Sequence, residues 1–149
     1  MLAEQNLAPK LLYVSTENTV LGYFGYKVMV VMEFLEGQTA KEFEYVTLKD
    51  RSIWRRVHQD VKTAINILHA VDLVFGDLRG PNILIVEGRA KLVDFDWCGT
   101  AGKNRYPTDL NPKIKWPTGV VQGGLMQKDN DMEMISTMFK GIQDMIEEE

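Results

Sequence analysis

Three residues in the middle of the chain, Asp77, Asn82 and Asp94, have types and spacing that suit magnesium and phosphate chemistry. Ile83 to Val86 and Ala90 to Val93 read as two short strands, with Glu87-Gly88-Arg89 as a tight hairpin connection and glycine where a positive φ is needed. With Gly88 as the centre, Asn82 lies six residues before it and Asp94 six after. Facing residues of an antiparallel pair sit roughly 4.5–5.5 Å apart, so Asn82 and Asp94 are expected to meet at the open end of the hairpin. Asp77, five residues before Asn82, cannot travel far from them. Two carboxylates and an amide form a set of hard oxygen donors. Such a set suits Mg²⁺, which takes one or two carboxylates and completes its shell with phosphate and water.

The elements that must position this set follow from periodicity. Leu11 to Val14 reads as a short strand, and Lys27 to Phe34 (KVMVVMEF) as a near-continuous apolar run, the mark of a buried strand. Residues 38–46 suit a short helix. Ser52 to Ala70 is a stronger helix: Val57, Val61, Ala64, Ile65 and Leu68 make one apolar stripe, Arg55, Arg56, Gln59, Asp60 and Lys62 the other side, and Ser52 a cap. Residues 97–125 carry many Gly, Pro, Asn and Thr and read as a long loop, which is expected to be functional or partly disordered. Asp129 to Ile146 is a second amphipathic helix, with Met132, Ile135, Phe139 and Ile142 on its stripe. Asp131 in its first turn is favoured by the helix dipole whatever else it does.

Composition narrows the class. The chain has 149 residues, 45% hydrophobic and 26% charged, with 17 Lys+Arg against 21 Asp+Glu. That mixture suits one globular domain with a real core. A net charge of -4 argues against a dedicated nucleic-acid binder. No apolar run is long enough to span a bilayer, and the first residues lack the pattern of a signal peptide. A single cysteine, Cys98, excludes an internal disulfide framework and a multi-cysteine zinc site, and points to an intracellular setting, cytoplasmic or nuclear.

At its chemical centre the chain resembles the eukaryotic-like protein kinase superfamily. Val74-Phe75-Gly76-Asp77-Leu78-Arg79-Gly80-Pro81-Asn82 is similar to the kinase catalytic loop, and Leu92-Val93-Asp94-Phe95-Asp96 to the strand and Asp-Phe-Gly metal motif. Val30 to Gly37 resembles the last small-lobe strand and hinge, and Asp131 the aspartate that opens a large-lobe helix. Trp116-Pro117 and Gly123-Gly124 look most like divergent members from fungi.

The resemblance implies a nucleotide ligand, ATP with Mg²⁺. Asp77 would orient an acceptor hydroxyl and accept its proton, while Asn82 and Asp94 would hold Mg²⁺ on the phosphates. Backbone groups near Glu33 and Leu35 would hydrogen-bond adenine, with Met32 at the back of that pocket. Arg79 would neutralise charge on the transferred phosphoryl group.

The chain also departs from the family pattern. It has no Gly-x-Gly-x-x-Gly loop, no Val-Ala-Ile-Lys strand before Leu11 and no Ala-Pro-Glu. Phe75 stands where the family has histidine, and Asp96 where Asp-Phe-Gly has glycine.

The expected fold is therefore α+β, a truncated protein-kinase-like fold. Residues 1–37 would be a small-lobe remnant with the hinge, and 38–149 the catalytic half of the large lobe. The expected function is kinase-type transfer from ATP-Mg to a hydroxyl of a protein substrate, weak or lost because the phosphate grip is incomplete. The alternatives are a pseudokinase interaction module that binds a partner through an exposed sheet edge, or a small-molecule phosphotransferase. No nucleic-acid or membrane partner is expected.

Overall fold

The computed structural model describes residues 1–15, 29–42 and 51–147, with side chains to residue 140. It is a mixed α+β structure whose sheets are small and antiparallel. The strands are β1 (Leu11–Val14), β2 (Val30–Met32), β3 (Gln38–Thr39), β4 (Leu73–Val74), β5 (Ile83–Val86), β6 (Arg89–Leu92) and β7 (Gly99–Thr100), and the two long helices are α1 (Arg51–Ala70) and α2 (Lys128–Glu147). β1 pairs with β2, β5 lies between β3 and β6, and β4 pairs with β7.

α1 is the spine of the core. Val57, Val61, Ala64, Ile65 and Leu68 are all buried, as the stripe predicts, and α1 packs on β6 and α2. Asp60, expected on the polar side, is buried instead. Its carboxylate takes two bonds from Arg89, at 2.8 and 2.6 Å, and one from the Ala90 N–H at 3.0 Å. A carboxylate held by a guanidinium fork and a backbone donor tolerates burial, and it fixes β6 to the helix. Ser52 lies within α1 rather than at its cap.

Three further expectations change. The apolar run at Lys27 to Phe34 yields only β2, whose three residues are all exposed; Lys27 and Val28 lie outside the described residues. The run is apolar on both faces, but among the described residues only β1 pairs with it, and β1 is exposed along its length as well. At 38–46 the chain first makes β3, then turns helical at 40–42, beyond which residues 43–46 are outside the description. Thr39 Oγ1 accepts from the Glu42 N–H at 3.3 Å while Glu42 Oε2 accepts from the Thr39 N–H at 2.9 Å, a reciprocal capping box. On α2 the buried residues are Asn130, Asp131, Met134, Ile135 and Phe139, while Met132 is exposed and Ile142 lies beyond the described side chains.

Residues 97–125 are ordered by bonds back to the core. Ala101 N–H donates to Asp72 at 2.8 Å, Tyr106 N–H to Gly124 at 2.9 Å and Met126 N–H to Asn104 at 2.9 Å. Tyr106, Leu110 and Val120 from this stretch are buried. No helix among the described residues is long and apolar enough to cross a membrane.

Candidate functional site

Asp77, Asn82 and Asp94 are placed by three local devices. The first is Asp131, fully buried at the start of α2. Its carboxylate accepts from the Phe75 and Gly76 N–H groups, each at 2.9 Å, and sits 2.9 Å from His69 Nε2. Two backbone donors just before Asp77 are thereby fixed to the core. Gly76 is needed here: its φ is +84°, and a Cβ would lie 2.3 Å from the Met126 side chain.

The second device is the short 3-10 turn Gly80–Asn82, which leads into β5. It turns the Asn82 amide back onto Asp77, with Nδ2 donating to the Asp77 carbonyl at 2.8 Å and to Oδ2 at 2.9 Å. The third is the β5–β6 hairpin. Its turn is the pair Glu87-Gly88, with φ of +51° and +74°, so Val86 faces Arg89 and Ile83 faces Leu92. The centre of the hairpin lies between Glu87 and Gly88, one half-step from the expected one. Asn82 therefore stands opposite Val93, whose N–H donates to its carbonyl at 3.0 Å, and Asp94 lies one residue further. Asp94 has φ +61°, a conformation that Asp adopts more readily than most residues.

Arg79 folds back onto Asp77. Its Nε and Nη2 make a bidentate pair with the Asp77 carboxylate, the Nη2 bond at 2.7 Å. The guanidinium also lies 5.3 Å from the centre of the Trp116 ring. Trp116 in turn stacks on Trp97 at 5.6 Å. The hydrogen bond to Asp77, foremost, and the charges of Asp77 and Asp94 push the Arg79 guanidinium above its ordinary value, against its partial burial. Arg79, Asn82 and Asp77 thus form one polar network beneath Asp94. Phe75, in place of histidine, meets Phe95 edge-on at 5.2 Å, an apolar contact between the loop and the Asp94-Phe95-Asp96 turn.

A cleft of about 530 Å³ opens between the β1–β2 ribbon and the Asp94-Phe95-Asp96 turn; Asp77, Arg79 and Asn82 do not line it. Leu11, Val30 and Met32 line one wall and Leu68, Leu73, Phe95 and Cys98 the other, with Asp94 and Asp96 at its polar end. Burial, and secondarily the charge of Asp131, raises the Cys98 thiol, so it is a weak nucleophile there. Met32 and Asp94 share this cleft. Glu33 and Leu35 do not: they line a separate hollow behind the ribbon, and the Glu33 N–H is spent on the Lys10 carbonyl at 2.8 Å.

The donor set fits magnesium in one way only. Among the described residues no group of three His, Cys, Asp or Glu side chains could hold a metal, so no all-protein cage exists there. Among the described residues the Asp94 carboxylate takes only a long 3.5 Å contact from the Asp96 N–H, and the two bonds of Asn82 Nδ2 leave its Oδ1 as the side that accepts. One carboxylate and one amide oxygen match a cation that brings its own phosphate and water ligands.

In the sequence, Asp131 is marked by the helix dipole and by resemblance alone, and Trp116 is not marked as part of the site. A carboxylate at the first turn of an amphipathic helix, on the buried side of its stripe, is the signal that marks Asp131. Trp116 carries no local signal, because its contacts are set by the fold of a long loop.

No family model matches the chain. It is 35% identical to the human serine/threonine-protein kinase PAK 4 over 92 residues, which is 58% of this chain and 16% of that protein. It is 33% identical over 69 residues to the KEOPS complex subunit Bud32 of Pyrococcus abyssi, 46% of this chain and 30% of that protein. It is 30% identical over 77 residues to the serine/threonine-protein kinase MST20 of Pyricularia oryzae, 51% of this chain and 8% of that protein. These distant partial matches support membership in the protein-kinase-like superfamily. In each comparison the match spans less than a third of the relative's length. Kinase-like membership accounts for the joint occurrence of Asp77, Asn82 and Asp94.

Proposed function

We propose that this kinase-like chain binds a Mg²⁺-nucleotide in the cleft between the β1–β2 ribbon and the Asp94-Phe95-Asp96 turn, and transfers its terminal phosphoryl group slowly to a hydroxyl. The observation that carries the reading is that Met32 and Val30, apolar and suited to a purine, share one cleft with Asp94. Asp94 and the Asn82 amide oxygen would hold Mg²⁺, whose role when bound is to neutralise phosphate charge. Asp77 would orient the acceptor hydroxyl and take its proton. In this reading residues 1–37 act as the small-lobe part and 38–149 as the catalytic part, within a protein-kinase-like fold.

Slowness follows from the Arg79–Asp77 pair. Both Asp77 oxygens are engaged, Oδ1 by Arg79 and Oδ2 by Arg79 and Asn82, so the base must exchange a strong partner for the acceptor. The Gly-rich loop and the phosphate-gripping lysine also have no counterpart in this sequence, and loss of a single such donor costs about 10²–10³ in rate. Transfer from labelled ATP to a generic acceptor protein tests the reading. Turnover is expected to be barely above background and to vanish in Asp77→Ala. Turnover at ordinary kinase rates, on the order of 1–100 s⁻¹, would contradict the slow reading.

A second reading, an interaction module, is favoured by the exposed apolar ribbon. Leu11 is 61% exposed and Phe34 86%, and among the described residues each strand of the two-stranded ribbon has an unpaired edge that a partner strand can use. A monomer by light scattering, with little binding of an apolar dye, would count against this alternative.

A further inference from the structure

We propose that the hollow behind residues 33–35 is a binding site for a small, singly charged oxyanion, with Lys91 as its principal ligand. The hollow is separate from the nucleotide cleft and shares no lining residue with it. It encloses about 310 Å³ between the N-terminal segment, the end of the ribbon and the β5–β6 turn, room enough for a carboxylate or a phosphate ester.

The reason lies in the state of Lys91. This residue sits on β6 and is only 6% exposed, yet it lines the hollow, and its ammonium is bonded to Asn6, another lining residue. Its described partners are the carbonyl oxygen of Asn6, at 3.1 Å, and Asn6 Oδ1. Both are neutral. Among the described residues no carboxylate lies within ion-pair distance of Lys91. A buried ammonium normally has an opposite charge beside it, because amide oxygens alone leave much of the desolvation cost unbalanced. Lys91 has three donors, and Asn6 uses two of them.

The wall that presents Lys91 is preformed. Asn6 adopts φ +59°, which places both of its oxygens on the ammonium. The Leu92 N–H donates to the Leu7 carbonyl at 2.9 Å and fixes that segment to β6. The other charges define the ligand. Arg89 is neutralised by Asp60, so it adds little. Lys10, exposed at the rim, supplies a second cation. Glu33 and Glu87 also line the hollow, and their charges oppose a second negative charge on the ligand. A monoanion is therefore preferred over a dianion.

The test is a melting titration of the full chain at constant ionic strength, with acetate, dimethyl phosphate and sulfate in turn against a chloride background. A saturable rise in Tm is expected with acetate, with dimethyl phosphate or with both, and at least threefold weaker binding of sulfate. An effect of acetate alone assigns the site to carboxylates, and of dimethyl phosphate alone to phosphate esters. The rise should disappear in Lys91→Met, and its midpoint concentration should increase about threefold or more in Lys10→Gln. No saturable rise with either monoanion would overturn the proposal, as would an unchanged rise in Lys91→Met or tighter binding of sulfate. Should Lys91→Met fail to fold, an unchanged midpoint in Lys10→Gln overturns it. Nucleotide binding enters none of these readouts, so a failed nucleotide reading leaves the result intact.

Discussion

Asp77 and Asp131 are both buried aspartates of the same loop-and-helix junction, and their partners give them different work. Asp77 is held by side chains, Arg79 and Asn82, which can move aside. Asp131 is held by the backbone of Phe75 and Gly76, which cannot. Replacing Asp131 by Ala leaves two buried N–H groups without an acceptor, at about 1–3 kcal/mol each. Urea unfolding of Asp131→Ala is expected to show a loss of about 3–5 kcal/mol, and Asp131→Asn, which keeps one acceptor oxygen, a smaller one. His58 gives a second prediction at this scale. Its ring stacks on Phe139 at 4.7 Å, and its Nε2 is buried without a partner among the described residues. Burial, with help from Lys62, pushes its pKa below the ordinary value. The unfolded chain then binds the extra proton, so this contribution to stability is complete above about pH 6.5 and is lost as pH falls below it. Melting curves between pH 8 and 5 should show His58→Phe losing less stability on acidification than the parent.

Between residues and the whole lies the β5–β6 hairpin, which carries Asn82 and Asp94 at its open end. Its existence was legible because Ile83 to Val86 is apolar, Ala90 to Val93 is apolar but for Lys91, and Gly88 marks the turn. Its register was not, since a two-residue and a three-residue connection both suit Glu87-Gly88-Arg89, and one half-step moves Asp94 past Asn82. The stripe on α1 was legible from spacing, but Asp60 was not, because only its pairing with Arg89 from a distant strand makes its burial tolerable. Glu87 holds a positive φ that suits Asn far better than Glu. Glu87→Asn is therefore expected to stabilise the chain by about 0.5–1 kcal/mol in denaturant unfolding, with no change in the slope.

For the molecule as a whole, apolar composition misled in one place. The run around Val30 to Met32 has the residues of a buried strand and lies exposed, because burial depends on what stands opposite, which one strand's sequence does not contain. The same feature makes a prediction. Leu12→Thr and Val31→Thr replace exposed side chains and should change folding stability by less than about 0.5 kcal/mol. If the ribbon is a sticky surface, they should also lower apolar-dye binding and self-association measured by light scattering.

The Asp77, Asn82 and Asp94 set was legible because its residue types are rare in combination. Which of its neighbours serve it depends on packing: Arg79 on Trp116, Phe75 on Phe95, and Met32 across the cleft from Phe95. The central claim is that this cleft takes a Mg²⁺-nucleotide, and binding to the native state must raise Tm by mass action. The direct measurement is a melting titration with ATP, with and without Mg²⁺, on the parent chain and on Asp94→Ala. At a hundred times Kd the gain is about 2.7 kcal/mol, or roughly 5–10 °C for a chain of this size. The account predicts a saturable, Mg²⁺-dependent rise of that order in the parent and little or none in Asp94→Ala. No rise at millimolar ATP with Mg²⁺, or an equal rise in the variant, would contradict it.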